Sequence, residues 1–166
     1  MSERDTFEIS ELKSHPEWLP QVAQWHHLEW LTTHPGYSKH EAAKRLEERK
    51  RSLQKHLSTN ALPTTFVAHE HDEPVGTVSL VYYQFTQSQK ASEWLTNLYV
   101  AEPKRGQGIA SSLLRCAIKF AQMKKIPRLL LYTRNHAEFY RKRSWRSINR
   151  GLVQGEQVEI MDYLLS

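Results

Sequence analysis

The segment Leu98-Tyr99-Val100-Ala101-Glu102-Pro103-Lys104-Arg105-Gly106-Gln107-Gly108-Ile109-Ala110 decides how the rest of this chain is read. An apolar run ends near Val100, Pro103 turns the chain, and a helical period begins around Gly108, with Ile109, Leu113, Cys116, Ala117 and Phe120 on one face. Strand, tight turn and helix follow one another without a gap. The first turn of such a helix carries amide hydrogens with no partner inside the helix, at the positive end of its dipole. An anion placed there is held by both. Gly106 and Gly108 let the backbone approach phosphate oxygens without a side chain in the way, Arg105 adds charge-assisted bonds, and Ala110 and Ser111 keep the next positions small. Arg105–Ser111 therefore reads as a cradle for a pyrophosphate. A dinucleotide fingerprint needs a third glycine near the first strand of a βαβ unit, and a P-loop needs Gly-Lys-Ser/Thr after its glycines; neither pattern is present.

Outward from this segment, β and α patterns take turns. Upstream, Thr64–His69, Val75–Tyr83 and Trp94–Val100 are rich in β-branched and aromatic residues, with His71-Asp72-Glu73-Pro74 as the turn between the first two. Farther back, Thr6-Phe7-Glu8-Ile9 alternates like a short strand, and Ser14-His15-Pro16-Glu17 has the proline and acid of a helix start. Trp18, Val22 and Trp25 give that helix a buried stripe, on which Glu29 also falls. Pro35-Gly36 interrupts the chain, and Ser38-Lys39-His40-Glu41 has the form of a capping box. Ala42, Leu46, Leu53 and Leu57 line one side of the second helix; its charged side is either a solvated face or a docking surface for an acidic partner. Downstream, Ile126-Pro127 stops the motif-bearing helix, Leu129–Tyr132 reads as a buried strand, Ala137–Lys142 as a short helix and Val158–Leu165 as a last strand. Two helices, a hairpin, then strand–helix–strand–helix–strand predict a single α/β domain over 1–166 with a mixed sheet.

Composition narrows the classes. Hydrophobic residues make up 39% of the 166 and charged residues 25%, a globular balance and not a disordered one. No apolar run approaches the roughly 20 residues of a membrane span, and the charged Met1–Asp5 stretch lacks the pattern of a secretory signal. One cysteine, Cys116, allows no internal disulfide, so a cytoplasmic location is expected. The net charge of +5 suits nucleic acid, an anionic surface or a phosphorylated cofactor without choosing among them. Nine histidines are present, including His26-His27 and the pair His69 and His71, but no third ligand at useful spacing, and no metal site is expected.

The run Arg105-Gly106-Gln107-Gly108-Ile109-Ala110, with its preceding strand and following helix, resembles the pyrophosphate signature of the GNAT family of N-acetyltransferases. Ala137-Glu138-Phe139-Tyr140-Arg141-Lys142-Arg143-Ser144-Trp145 resembles that family's late helix, and the order of elements is similar over most of the chain. The resemblance implies a mostly antiparallel mixed sheet splayed in the middle, helices on both faces, and acetyl-CoA (coenzyme A) lying in the gap. It implies that backbone at Leu98, Tyr99 and Val100 meets the pantetheine arm and that Arg105, Gly106, Gln107, Gly108, Ile109, Ala110 and Ser111 hold the pyrophosphate. Asn135 is brought to the same cofactor, closer to Tyr140 than the commonest family spacing. Tyr140 matches the tyrosine whose hydroxyl lies near the cofactor sulfur and protonates the departing thiolate, a role a phenol can fill as charge builds.

Besides the Asn135 spacing, the match departs from the family at two places. Many relatives carry a glutamate on the motif-bearing strand to take the acceptor's proton; here Thr96 and Asn97 stand there, and neither is a base. Glu93 lies near the strand's start. Glu29 is the candidate base, or else a helix-end carboxylate in water. Ser144 replaces the usual glycine, and the spacing of Leu131–Tyr140 is similar to the branch of actin-type amino-terminal acetyltransferases. The acceptors that the resemblance implies are a small-molecule amine or a peptide or protein amino group, and a homodimer stays open. A domain that keeps CoA binding without catalysis and an RNA-directed acetyltransferase are the competing functions. Arg141, Lys142, Arg143 and Arg146 form a basic cluster beside Tyr140, either a solvated face or a contact for CoA phosphate, an acidic peptide or RNA. Cys116, on an apolar helical face, is read as packing and not as a nucleophile.

Overall fold

Successive side chains of a strand point to opposite faces, and the burial pattern of a computed structural model of the chain shows three hydrophobic clusters divided by that rule. The structure describes residues 7–58, 61–87 and 89–165. Thr6, placed by the sequence at the start of the first strand, and the Met1–Asp5 stretch lie outside them. The described elements are β1 (Glu8–Glu11), α1 (Leu19–Thr33), α2 (Lys39–Gln54), β2 (Thr64–Glu70), β3 (Glu73–Tyr83), β4 (Ser92–Val100), α3 (Ile109–Met123), β5 (Arg128–Thr133), α4 (Ala137–Arg141), β6 (Arg146–Val153) and β7 (Glu156–Leu164). Phe66 and Ala68 of β2 enter a core with Leu113, Leu114 and Ala117 of α3, whereas Val67 between them packs with Trp18, Leu19, Val22 and Leu53 on the α1–α2 side. Leu95 and Trp94 of β4 part in the same way. Helices thus cover both faces, as expected.

The seven strands run in the order β1-β2-β3-β4-β5-β7-β6. Every neighbouring pair is antiparallel except β4 and β5, which are parallel and share a single register pair, Trp94 with Leu130. Beyond that pair the two strands part, and the sheet is splayed. A bulge in β4 sharpens the divergence: Ser79 pairs with Thr96 and Thr77 with Tyr99, so Asn97 and Leu98 together face Val78. Asn97 sits at φ 55°, in the left-handed region that asparagine tolerates best after glycine.

Three details differ from the sequence expectation. The segment around Ser14–Glu17 forms two short 3-10 turns, Leu12–Ser14 and Pro16–Trp18, and α1 begins only at Leu19. The first strand runs Glu8–Glu11, displaced toward the C-terminus. A strand not foreseen, β6, pairs with β7 along the sheet's edge. The N-cap half of the capping box forms: Ser38 Oγ accepts from Glu41 N at 3.1 Å. Gly76 in β3 allows α3 to lie close, since a Cβ there would come within 3.0 Å of the Tyr99 carbonyl oxygen and 3.1 Å of Leu113.

Candidate active site

After β4, Glu102–Lys104 make a 3-10 turn, and Arg105 returns the chain to extended backbone. Gly106 and Gly108 then adopt φ of 80° and 84°. A Cβ at either would meet nothing within 4 Å, so conformation and not crowding selects glycine, and the space before the turn is open. Gly108 caps α3, and its carbonyl accepts the first helical bond from Ser112 N at 3.1 Å. The amides of Ile109, Ala110 and Ser111 precede that bond, and no side chain caps them among the described residues. Ile109's side chain is fully buried, so only its N–H can serve a ligand. This geometry fits a diphosphate.

Arg105 folds back on the strand. Its Nε donates to the Val100 carbonyl at 2.8 Å and its guanidinium lies over the Tyr99 ring, 5.3 Å from the centroid. Because Ala101 N donates to Val75 O, alternation turns Val100 and Leu98 toward the β5 side, where the strands diverge. The Val100 carbonyl assigned by resemblance to the pantetheine arm is therefore already partnered, while its N–H faces the gap. Tyr99 contributes its ring elsewhere, against Trp25 of α1 at 5.5 Å.

A second guanidinium reaches the α3 entrance from α4's far end. Arg143 donates from Nε and Nη2 to Ser111 Oγ, at 3.1 and 3.0 Å, and from Nη1 to Phe139 O at 2.7 Å. Two of its basic neighbours are otherwise engaged. Arg141 pairs with Glu138 and Glu159, and Arg146 makes a two-pronged bond to the buried Asp162. The cluster is thus split, and Arg143 is the member placed beside the cradle. Tyr140 packs against the core that contains Ile109 and Leu113, edge-on to Phe139 and Trp145. Burial pushes its phenol up to about 12, partly offset by Arg143. Asn135 lies exposed in the loop between β5 and α4, and Gln107 is exposed in the cradle turn.

On the α1–α2 side of the bulge lies a cleft of about 780 Å³. Thr96, Asn97 and Leu98 form its floor, and Glu29 of α1, Arg49 of α2 and Tyr132 of β5 stand in its walls. Glu29 is brought to this cleft; Glu93 is not among its lining residues. His26 and His56 also border it and are buried, with pKa values pushed down to about 3 and about 4, in each case chiefly by burial. His56 is tied to Thr65 Oγ1 at 2.8 Å, whereas both ring nitrogens of His26 lack a partner among the described residues. Neither Arg49 nor His26 was singled out for this cleft from sequence, because nothing local marks a helical residue that meets another element. Among the described residues no three His, Cys, Asp or Glu are grouped to hold a metal ion. His69 bonds Ser10 and the His71 carbonyl, at 2.8 and 2.7 Å. No helix is long and apolar enough to cross a membrane among those residues. Cys116 is half-buried, and burial raises its thiol pKa.

Residues 61–146, which hold the cradle, the splayed strands and Tyr140, match the model of the acetyltransferase (GNAT) domain. The chain belongs to this family. Solved structures of similar fold include the PaiA N-acetyltransferase of Thermoplasma acidophilum in complex with coenzyme A (21% identity, 99% of each chain covered, TM-score 0.69). They also include an aminoglycoside 6′-N-acetyltransferase complexed with coenzyme A (16% identity, 96% of this chain and 97% of that one, TM-score 0.71). A GNAT-family acetyltransferase of Streptococcus pneumoniae is similar at 22% identity, covering 96% of this chain and 99% of that one with a TM-score of 0.67. A comparison with curated proteins finds no match.

Proposed function

We propose that this protein is an acetyl-CoA-dependent N-acetyltransferase that passes an acetyl group directly to a primary amine while both substrates are bound. The observation that carries this reading is the α3 entrance. Unpartnered amides at Ile109–Ser111, bared by two glycines at positive φ, open beside the gap between β4 and β5. Acetyl-CoA supplies an activated thioester there: the amine nitrogen bonds the acetyl carbon as the C–S bond breaks, the amine loses a proton and the departing sulfur gains one.

The chain's own groups divide the remaining work. The α3 amides, Arg105 and Arg143 would bind the diphosphate, and the Leu98 backbone with the Val100 N–H would align the pantetheine arm in the gap. Gln107 and Asn135 lie exposed at the rim, within the same segments. Tyr140, kept neutral by burial, offers its hydroxyl to the sulfur. A buried phenol near 12 is a weaker acid than a thiol, so complete proton transfer from it to the departing thiolate is uphill. The hydroxyl therefore acts first as a hydrogen-bond donor to the developing charge, and the sulfur's proton comes finally from the amine by way of solvent. Glu29, in the cleft wall, receives the acceptor's ammonium and takes its proton directly or through water. The acceptor is a small-molecule amine or a peptide or protein amino group.

The test is thiol release from acetyl-CoA over a panel of amines and peptides, alongside calorimetric CoA binding. Turnover on one acceptor class is expected. CoA binding with no thiol release on any acceptor would instead favour a domain that senses CoA without catalysis.

A further inference from the structure

The acceptor cleft contains a cation the fold does not neutralise. Arg49 is partly buried between α1, α2 and the end of β5, and it borders both the large cleft and a smaller cavity of about 210 Å³ behind it. Burial lowers its pKa, with Tyr132 acting weakly the other way. Yet no carboxylate pairs with it among the described residues. Glu48, the acid in the smaller cavity, is engaged by Arg45 at 3.9 Å. A desolvated guanidinium with its donors unspent is costly unless something anionic arrives to take them. Lys55 and Arg134 add two more positive charges to the large cleft against the single carboxylate of Glu29. His26 and His56, held neutral, change nothing in that balance at physiological pH.

From this placement we infer that the acceptor is a primary amine that also carries a carboxylate, with the carboxylate on Arg49 and the amine directed to Glu29 and the β4 bulge. A guanidinium presents a planar fork of donors that matches a carboxylate, and the Tyr132 hydroxyl in the same wall can add a third bond. The inference names the substrate class for the acetyl transfer proposed above and rests on that reading only for what happens after binding. Polycationic amines are disfavoured, since three cations in one cleft repel them. Free amino acids and peptides that begin with acidic residues share the required chemistry.

The experiment is calorimetric titration of the full chain, saturated with CoA, using free amino acids and tetrapeptides that begin with two glutamates. Each is compared with a counterpart that lacks the carboxylate, the amino acid amide or the peptide that begins with two glutamines, all tetrapeptides being C-terminally amidated. The acids should bind about 10- to 100-fold more tightly than their counterparts, the range expected for charge-assisted bonds. Arg49→Met, which keeps the aliphatic stem, should erase that gap at unchanged CoA affinity, and Arg49→Lys should retain part of it. Preference for amino acids over peptides, or the reverse, identifies the source. Neutral counterparts binding equally, no acid binding at all, or a gap that survives Arg49→Met would overturn the inference. Thiol release measured in parallel keeps the two claims apart: acids that bind without turnover leave the carboxylate site on Arg49 standing and defeat acetyl transfer. Polyamines turned over in preference to acids do the opposite.

Discussion

The two halves of the site are built by different means. The cofactor half is chiefly backbone: a turn, two glycines at positive φ and three open amides within Arg105–Ser111, with the guanidiniums of Arg105 and Arg143 beside them. The acceptor half is side chains from α1, α2, β4 and β5, brought together only by the fold and partly shut away from water. Backbone geometry can be encoded in a few consecutive residues and is insensitive to pH. A side-chain cleft depends on distant packing and on charge states that burial has shifted. One protein can thus fix the chemistry it shares with its family locally while its selectivity is written across the chain.

The largest effect is expected at Tyr140. Tyr140→Phe should lower turnover by about 100-fold while CoA affinity barely changes, because the role proposed for its hydroxyl is at the departing sulfur. Equal turnover in the two proteins would remove Tyr140 from the chemistry. Next comes the acid sensitivity of the acceptor half. His26 titrates near 3 in the folded chain and near its ordinary 6.5 when unfolded, so the unfolded chain takes up the proton first. Its contribution to stability is complete above about pH 6.5 and is lost as pH falls toward 3. Between pH 8 and pH 5 the loss from this residue is about 2 kcal/mol. In urea unfolding, His26→Leu should lose about that much less over the same interval, with His56 leaving a residual dependence of the same sign. A variant that loses as much as the parent would show that His26 is not held neutral. A smaller effect, about tenfold, is expected on CoA affinity from Arg143→Met, which removes the guanidinium beside Ser111. Affinity unchanged by calorimetry would confine Arg143 to bracing α4 against α3.

Legibility follows the same division. The strand, turn and helix of the cradle were readable because each signal is local: the apolar run into Val100, the paired glycines, the helical period from Ile109. The central strands and α3 were readable for the same reason. β6 was not, because it is an edge strand exposed along most of its length and has no apolar alternation to betray it; only its pairing with β7 makes it a strand. The late start of α1 was missed because the signals of a helix start serve equally well for the 3-10 turn that Pro16 opens. Arg49 is embedded in Glu47-Glu48-Arg49-Lys50-Arg51, a run that looks like any solvated helical face. Which of those five side chains turns inward is decided by how α2 meets α1 and the sheet. Glu29 could be proposed from its stripe, but the cleft it borders needs β4's bulge and the end of β5, and no spacing announces those.

The claim beneath all of this is that the open amides at the start of α3 grip the cofactor's diphosphate. It is tested most directly by following backbone amide resonances in a ¹⁵N-labelled sample during titration with CoA. Gly106, Gly108, Ile109, Ala110 and Ser111 should move together and saturate with one affinity, ahead of the Arg49 face of the cleft. Saturable binding that leaves those five amides where they were, and moves resonances elsewhere, would contradict it.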